Sequence, residues 1–246
     1  IYHGLSGELP LGLHNSKIKG IVTIHDLIFL RHPEYYHWID RKIYTWKFHQ
    51  TLKQADHIIA ISECTKRDIL EFGNFDAEKI SVIYQSCNPR FADLPSQQDI
   101  DDTTSKYELP KRYLLNVGTI EERKNLMSAV KALKYLPDDI HLVSVGKKTK
   151  YAEKVMKKAD EIGVSHRLHL LSGVTDNELN VIYKKAELFV YPSRYEGFGI
   201  PIIGAIFSGL PVVACTGSCL EEAGGPHSLY VNPDDIEGMA KAISQI

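Results

Sequence analysis

The sequence predicts an α/β protein with two doubly wound, parallel-sheet domains. Three observations carry this. Short apolar runs of strand length recur along the chain, stretches of helical spacing separate them, and the alternation lapses once, between Asn88 and Pro110. With 246 residues, 43% of them hydrophobic, the chain can bury two ordinary cores.

The elements follow in order. GIVTIHD (20–26) is a strand, a helix is expected from about Tyr36 to Ala55, and HIIAIS (57–62) is the next strand. A helix from Glu63 to Phe72 follows, with Ser62 placed to cap it, and then strand ISVIY (80–84). The run NPRFADLPSQQDIDDTTSKYELP is polar, acidic and punctuated by proline, which is the composition of a linker. The domain boundaries are therefore set at 1–92 and 111–246, with 93–110 as linker. The second domain reads YLLNVG, a helix from Asn125, HLVSVG, a helix from about Tyr151, RLHLLSG, a helix from about Asp176, LFVYPS, a short apolar helix, and PVVAC. Those five strands and four helices form a complete unit, whereas the first half has fewer. Because the chain also begins at Ile1 rather than at a methionine, it is expected to be a fragment.

Composition excludes several classes. A net charge of −2 leaves no electrostatic footprint for nucleic acid. No apolar run approaches the roughly 18 residues of a membrane span. IYHGLSGELP lacks the regions of a signal peptide, and the few, unevenly spaced cysteines fit a reducing cytoplasm, the location expected. The cysteines at 64, 87, 215 and 219 are too few and too unevenly spaced for a disulfide framework, and no metal site is expected. The lysines at 147, 148, 150, 154, 157 and 158 read as a solvated helix face rather than a membrane-facing one.

In a doubly wound sheet, ligands sit beyond the carboxyl ends of strands. Three such loops in the second domain carry unusual residues. TIEERKN sets Arg123 and Lys124 side by side at a helix start, where two adjacent cations suit a pyrophosphate; the alternative is two solvated charges balanced by Glu121 and Glu122. EGFG (196–199) lets the backbone approach a ligand, with Pro201 at the first helical position and Glu196 as an acceptor for hydroxyls; the alternative is a tight turn with a solvent-facing glutamate. SGVTDNEL, from Ser172, could offer backbone groups to a base, or be a capped helix entry alone. In the first domain His25 and Asp26 end a strand at the corresponding edge. The dinucleotide fingerprint is absent, since its third glycine would fall at Ile202, which argues against an NAD-dependent oxidoreductase.

YLLNVGTIEERKN, the SGV loop, YPSRYEGFGIP and GLPVVA, in this order and spacing, resemble the retaining nucleotide-sugar glycosyltransferases of family 4, which have the two-domain, Rossmann-like GT-B fold. HGLSGELP, TIHDLIFLRHPEYY, ISECTKRDI and VIYQSC resemble the later part of that family's N-terminal, acceptor-side domain, especially in bacterial mannosyltransferase-like members. The resemblance implies roles by position. Glu196, with Gly197, Phe198 and Gly199, would hold the donor sugar; Arg123 and Lys124, with Gly118 nearby, the diphosphate; Gly173 and Val174 the base. His25 would lie near the transferred sugar. The family's second glutamate, a ribose ligand, should stand at 204, and this chain has Gly204.

What the resemblance implies is transfer of a hexose, mannose or glucose, from a GDP- or UDP-sugar to a glycan or lipid-linked glycan. Configuration would be retained, with no cofactor or metal, and a peripheral membrane contact is allowed for. The competing expectation is a degenerate nucleotide-sugar binding module without transferase activity. Gly204 motivates it, since a carboxylate there would accept ribose hydroxyls and its loss would weaken the site.

Overall fold

The computed structural model describes residues 1–246. They form two compact units, Ile1–Gln85 with Tyr195–Phe198, and Ser86–Arg194 with Gly199–Ile246.

The first unit contains β1 (Tyr2–Gly4), β2 (Gly20–Ile24), α1 (Ile28–Arg31), α2 (Trp38–Gln54), β3 (His57–Ala60), α3 (Glu63–Gly73) and β4 (Ile80–Val82). Its four strands are parallel and lie in sequence order. Alternation sets the core: Val22 pairs with Ile58 and Ile58 with Ile80 in register, and these side chains close with Ile24, Ala60, Phe48 and Ile69 into one cluster. The Ser62 hydroxyl accepts the Thr65 amide at 2.9 Å and caps α3 as its sequence position predicts, while Asn74 in the left-handed region ends that helix. The short strand β1 was not expected, because YHG is too brief to show a period.

The second unit contains α4 (Gln97–Tyr107), β5 (Tyr113–Val117), α5 (Leu126–Ala132), β6 (His141–Val145), α6 (Lys150–Glu161), β7 (Leu168–Leu171), α7 (Asp176–Lys185), β8 (Leu188–Tyr191), α8 (Ile200–Phe207), β9 (Val212–Cys215), α9 (Leu220–Gly224), β10 (Leu229–Val231) and α10 (Ile236–Ser244). Its six strands are all parallel, in the order β10-β9-β8-β5-β6-β7. Every residue of β8 is buried, as a central strand covered on both faces requires. The strand order reverses between β5 and β8. The loops leaving these two strands therefore flank a crevice, the position where doubly wound sheets bind ligands.

Three expectations are corrected. Residues 93–110 are not a bare linker: Ser96 caps α4 by accepting the Asp99 amide at 3.1 Å, and Gln97–Asp101 and Gln98–Asp102 bonds of 2.9 Å brace it at one-turn spacing. The segment reads as linker because only Thr103 of this helix is fully buried. The division between units falls at Gln85/Ser86 rather than after residue 92, since Phe91 packs on Tyr183 of α7. Pro201 is the second residue of α8, not the first.

Candidate functional site

The crevice of the second unit is assembled by its two loops. Asn125, at φ 53°, donates from Nδ2 to the Pro192 carbonyl at 3.1 Å and the Pro233 carbonyl at 3.0 Å, while the Arg194 amide donates to the Arg123 carbonyl at 3.0 Å. The loop after β5 is thereby tied to the loop after β8. Lys124 Nζ donates to Tyr191 Oη at 2.8 Å, which places the ammonium at the carboxyl end of β8. A Cβ on Gly118, at φ 153°, would stand 3.7 Å from Lys124 Cδ, so the glycine backbone and the lysine chain lie side by side. Gly146, after β6, admits the Gly118 carbonyl where any Cβ would collide with it.

Arg123 lies in the same loop, its side chain 16% exposed, with Nη2 on Glu121 Oε1 at 2.7 Å. The flanking acid noted in the sequence is thus bonded to this cation, and an anion arriving here would share the guanidinium with Glu121. Asn125, Gly146 and Tyr191 were missed as site-building residues. Only Gly146 left a sequence signal, a glycine directly beyond an apolar strand.

The loop after β7 holds Gly173 at φ 71° with open space where its side chain would be, and Val174 half-buried. Thr175 and Glu178 form a capping box at the start of α7. Lys106 and Tyr107 of α4 also bond Glu178. With Thr175 they hold its carboxyl down from the ordinary 4.5 to about 2, the lysine contributing most. The helix read as linker therefore braces this loop.

Gly204 requires a correction of geometry. It is buried, and a Cβ there would stand 3.3 Å from Tyr183 Oη and 3.7 Å from Phe91 Cδ2. A side chain would leave toward α7 and not over the ligand loop. Tyr183 holds that place by donating to the Pro201 carbonyl at 3.1 Å. The glycine makes room for a neighbour. Gly199, at φ 111°, is the N-cap of α8, which no side chain caps.

In the first unit His25 is exposed; its Nε2 lies 2.9 Å from the Leu5 carbonyl. Its own carbonyl faces Gly197 so closely that a Cβ on the glycine would collide with it. His25 and the EGF turn, expected from separate motifs, are thus neighbours. Glu196 is 8% exposed, and Phe198 stacks on Tyr84 with ring centres 5.3 Å apart. A cavity of about 250 Å³ opens beside His25 and Asp26, lined also by Ser6, Glu8, Tyr44 and Lys47. No helix is long and apolar enough to cross a membrane.

The family described as "Glycosyl transferases group 1" matches residues 98–246, which contain the whole crevice. This chain belongs to that family. Residues 3–91 match "Glycosyltransferase Family 4". The O-antigen chain mannosyltransferase RfbU of Salmonella typhimurium is 32% identical over 225 residues, 92% of this chain and 60% of that protein. O-antigen chain mannosyltransferase B of Escherichia coli is 32% identical over 253 residues, 100% of this chain and 64% of that protein. The chain thus spans less than two thirds of the length of these relatives. The crystal structure of Anabaena HepE in complex with UDP and glucose superposes with a TM-score of 0.78 at 18% identity, covering 92% of this chain and 61% of that one. At that identity the likeness speaks for the fold alone, and it is the GT-B type that the motif order implied.

Proposed function

We propose that this group 1 glycosyltransferase chain moves a hexose, mannose or glucose, from a GDP- or UDP-sugar to a glycan or lipid-linked glycan, with retention of configuration. The observation that carries the reading is the crevice at the β5/β8 reversal, where Lys124 lies along Gly118 with its ammonium on Tyr191. The two O-antigen chain mannosyltransferases above support mannose and a polysaccharide product.

Breaking the anomeric bond leaves an oxocarbenium-like sugar and puts negative charge on the departing diphosphate. Lys124 and Arg123 stabilise that charge where it develops, and no step requires a metal. Glu196 accepts hydroxyls of the sugar, and His25 stands near it. Attack on the leaving-group face, with phosphate assisting proton removal, gives retention without a covalent nucleophile. The rival reading, a binding module without turnover, rests on Gly204, and the packing of Tyr183 gives that glycine another reason.

The test is calorimetry with GDP and UDP in chelator. Binding is expected without divalent metal. Lys124→Ala should weaken a nucleoside diphosphate by about 1.5–3 kcal/mol while sparing the nucleoside, as expected for a charge-assisted bond. Equal losses for both ligands, or binding only with magnesium, would refute the phosphate role. A lipid-linked acceptor would bring the protein to a cytoplasmic membrane face; failure to co-sediment with anionic vesicles would remove that part.

A further inference from the structure

Glu196 sits between two residues that the first unit holds by separate bonds. On one side, Tyr195 is 6% exposed and its hydroxyl donates to Asp68 Oδ2 at 2.6 Å. Asp68, 2% exposed on α3, is held in turn by Arg31, whose Nη2 and Nε reach Oδ1 at 2.6 and 3.0 Å. Arg31 also pairs with Glu71, so the arginine is oriented by two carboxylates. The His32 ring packs 4.9 Å from that of Tyr195. On the other side, the Ser62 hydroxyl donates to the Gly197 carbonyl at 2.8 Å, while that of Thr65 donates to the His25 carbonyl at 3.2 Å. Only a glycine fits at 197, because the His25 carbonyl occupies the place of a Cβ.

Four residues from one helical turn and its cap, Ser62, Cys64, Thr65 and Asp68, face this short stretch; Cys64 Sγ lies 3.2 Å from Tyr195 Oη. A solvent-facing turn would have no reason to bury a carboxylate and a tyrosine hydroxyl at its root, with a half-buried arginine bonded to that carboxylate, given what an unpartnered buried charge costs. Burial, and then the bond to Asp68, raise the Tyr195 phenol well above its ordinary range, so it stays a donor at any working pH.

We infer that Tyr195, Asp68 and Ser62 are positioning residues: they clamp the backbone on both sides of Glu196 so that its carboxylate presents a fixed acceptor to the donor sugar. This rests on the reading of Glu196 as the sugar-holding group. None of the three need touch the sugar. Their contribution is to remove freedom that residue 196 would otherwise lose on binding.

The experiment compares the gain in affinity that the sugar adds, GDP-mannose over GDP and UDP-glucose over UDP, in the 246-residue chain and in Tyr195→Phe, Asp68→Asn and Glu196→Gln. Tyr195→Phe removes one hydroxyl and keeps the ring; Asp68→Asn leaves Arg31 its bond to Glu71. Expected is a loss of about 5- to 10-fold in the sugar gain for Tyr195→Phe and Asp68→Asn, the worth of one hydrogen bond. Bare nucleotide affinity should stay within about twofold, and Glu196→Gln should lose the gain altogether. A purely structural cluster would lower Tm and weaken nucleotide and sugar nucleotide equally, which overturns the proposal. So does an unchanged sugar gain in Tyr195→Phe beside a lost one in Glu196→Gln, with the Glu196 reading intact. A wild-type chain with no sugar gain, or a Glu196→Gln that keeps it, overturns the reading of Glu196 and the clamp with it.

Discussion

At position 204 the helix register was legible and the direction of the side chain was not. Counting from Pro201 places residue 204 one turn into α8, as observed, but which neighbour that turn faces depends on Tyr183, twenty-one residues upstream on another helix. Gly204→Glu is therefore expected to destabilise rather than tighten. Its Cβ would start 3.3 Å from Tyr183 Oη, closer than packed side chains tolerate without moving, and a carboxylate would follow toward Phe91. Overpacking of this kind costs about 1–3 kcal/mol, read as a lower urea midpoint, with GDP and UDP affinity unimproved. A tenfold gain in affinity at undiminished stability would restore the idea of a lost ribose ligand. Glu196, Arg123 and Lys124 stand out in the sequence because each sits beside glycines or a second charge at a strand end. Arg167 carried no such sign: it lies at the start of an apolar run, yet it is buried and donates to the carbonyls of Ile140, Leu133 and Pro137 at 2.8, 2.9 and 2.7 Å. Bonds to backbone carbonyls leave no trace in the identity of their partners.

Elements whose apolar period survives on one face were legible, and α4 was not, because Asp and Gln dominate it and it shows only a narrow stripe to α7. Its importance lies at one end, where Lys106 and Tyr107 meet Glu178 beside the Gly173–Val174 loop. The charged form of Glu178 is favoured in the folded state, so the stabilisation is fully present above the ordinary carboxylate pKa of 4.5. It is lost as pH falls through about 2. Relative to its intrinsic rate at each pH, amide exchange in 97–107 and 172–175 should accordingly quicken between pH 4.5 and 2, ahead of the sheet. Glu178→Gln should bring the same quickening to neutral pH, because the glutamine can still close the capping box with Thr175 but gives Lys106 no ion pair. Exchange in those segments that stays unchanged in Glu178→Gln would mean α4 is held by apolar contact alone.

At the scale of the whole chain, the alternation of runs gives two parallel sheets and the motif order gives the family. The partition of residues between units was harder to read. Nothing in YPSRYEGFGIP announces that Tyr195–Phe198 belongs with Ile1–Gln85 while the residues on either side belong with the second unit. That assignment depends on bonds to Ser62 and Asp68, more than a hundred residues away in sequence. It makes a truncation experiment informative. A piece covering 86–246 keeps Phe91 on Tyr183, the Ser208 hydroxyl on the Phe91 carbonyl at 3.1 Å, and α4 on α7. It should fold cooperatively and bind a nucleoside diphosphate. A piece covering 108–246 loses all three contacts, and leaves Glu178 without Lys106 and Tyr107. It should be the less stable of the two by a clear difference in urea midpoint. In both pieces Tyr195–Phe198 are deprived of Asp68, Ser62 and Tyr84, so exchange and proteolytic cleavage should concentrate between 194 and 199, while β8 and α8 on either side stay protected. Equal stability of the two pieces would return 86–107 to the status of a linker. Protection of 195–198 in the absence of the first unit would show that the turn holds its shape unaided, and that the bonds to α3 only follow it.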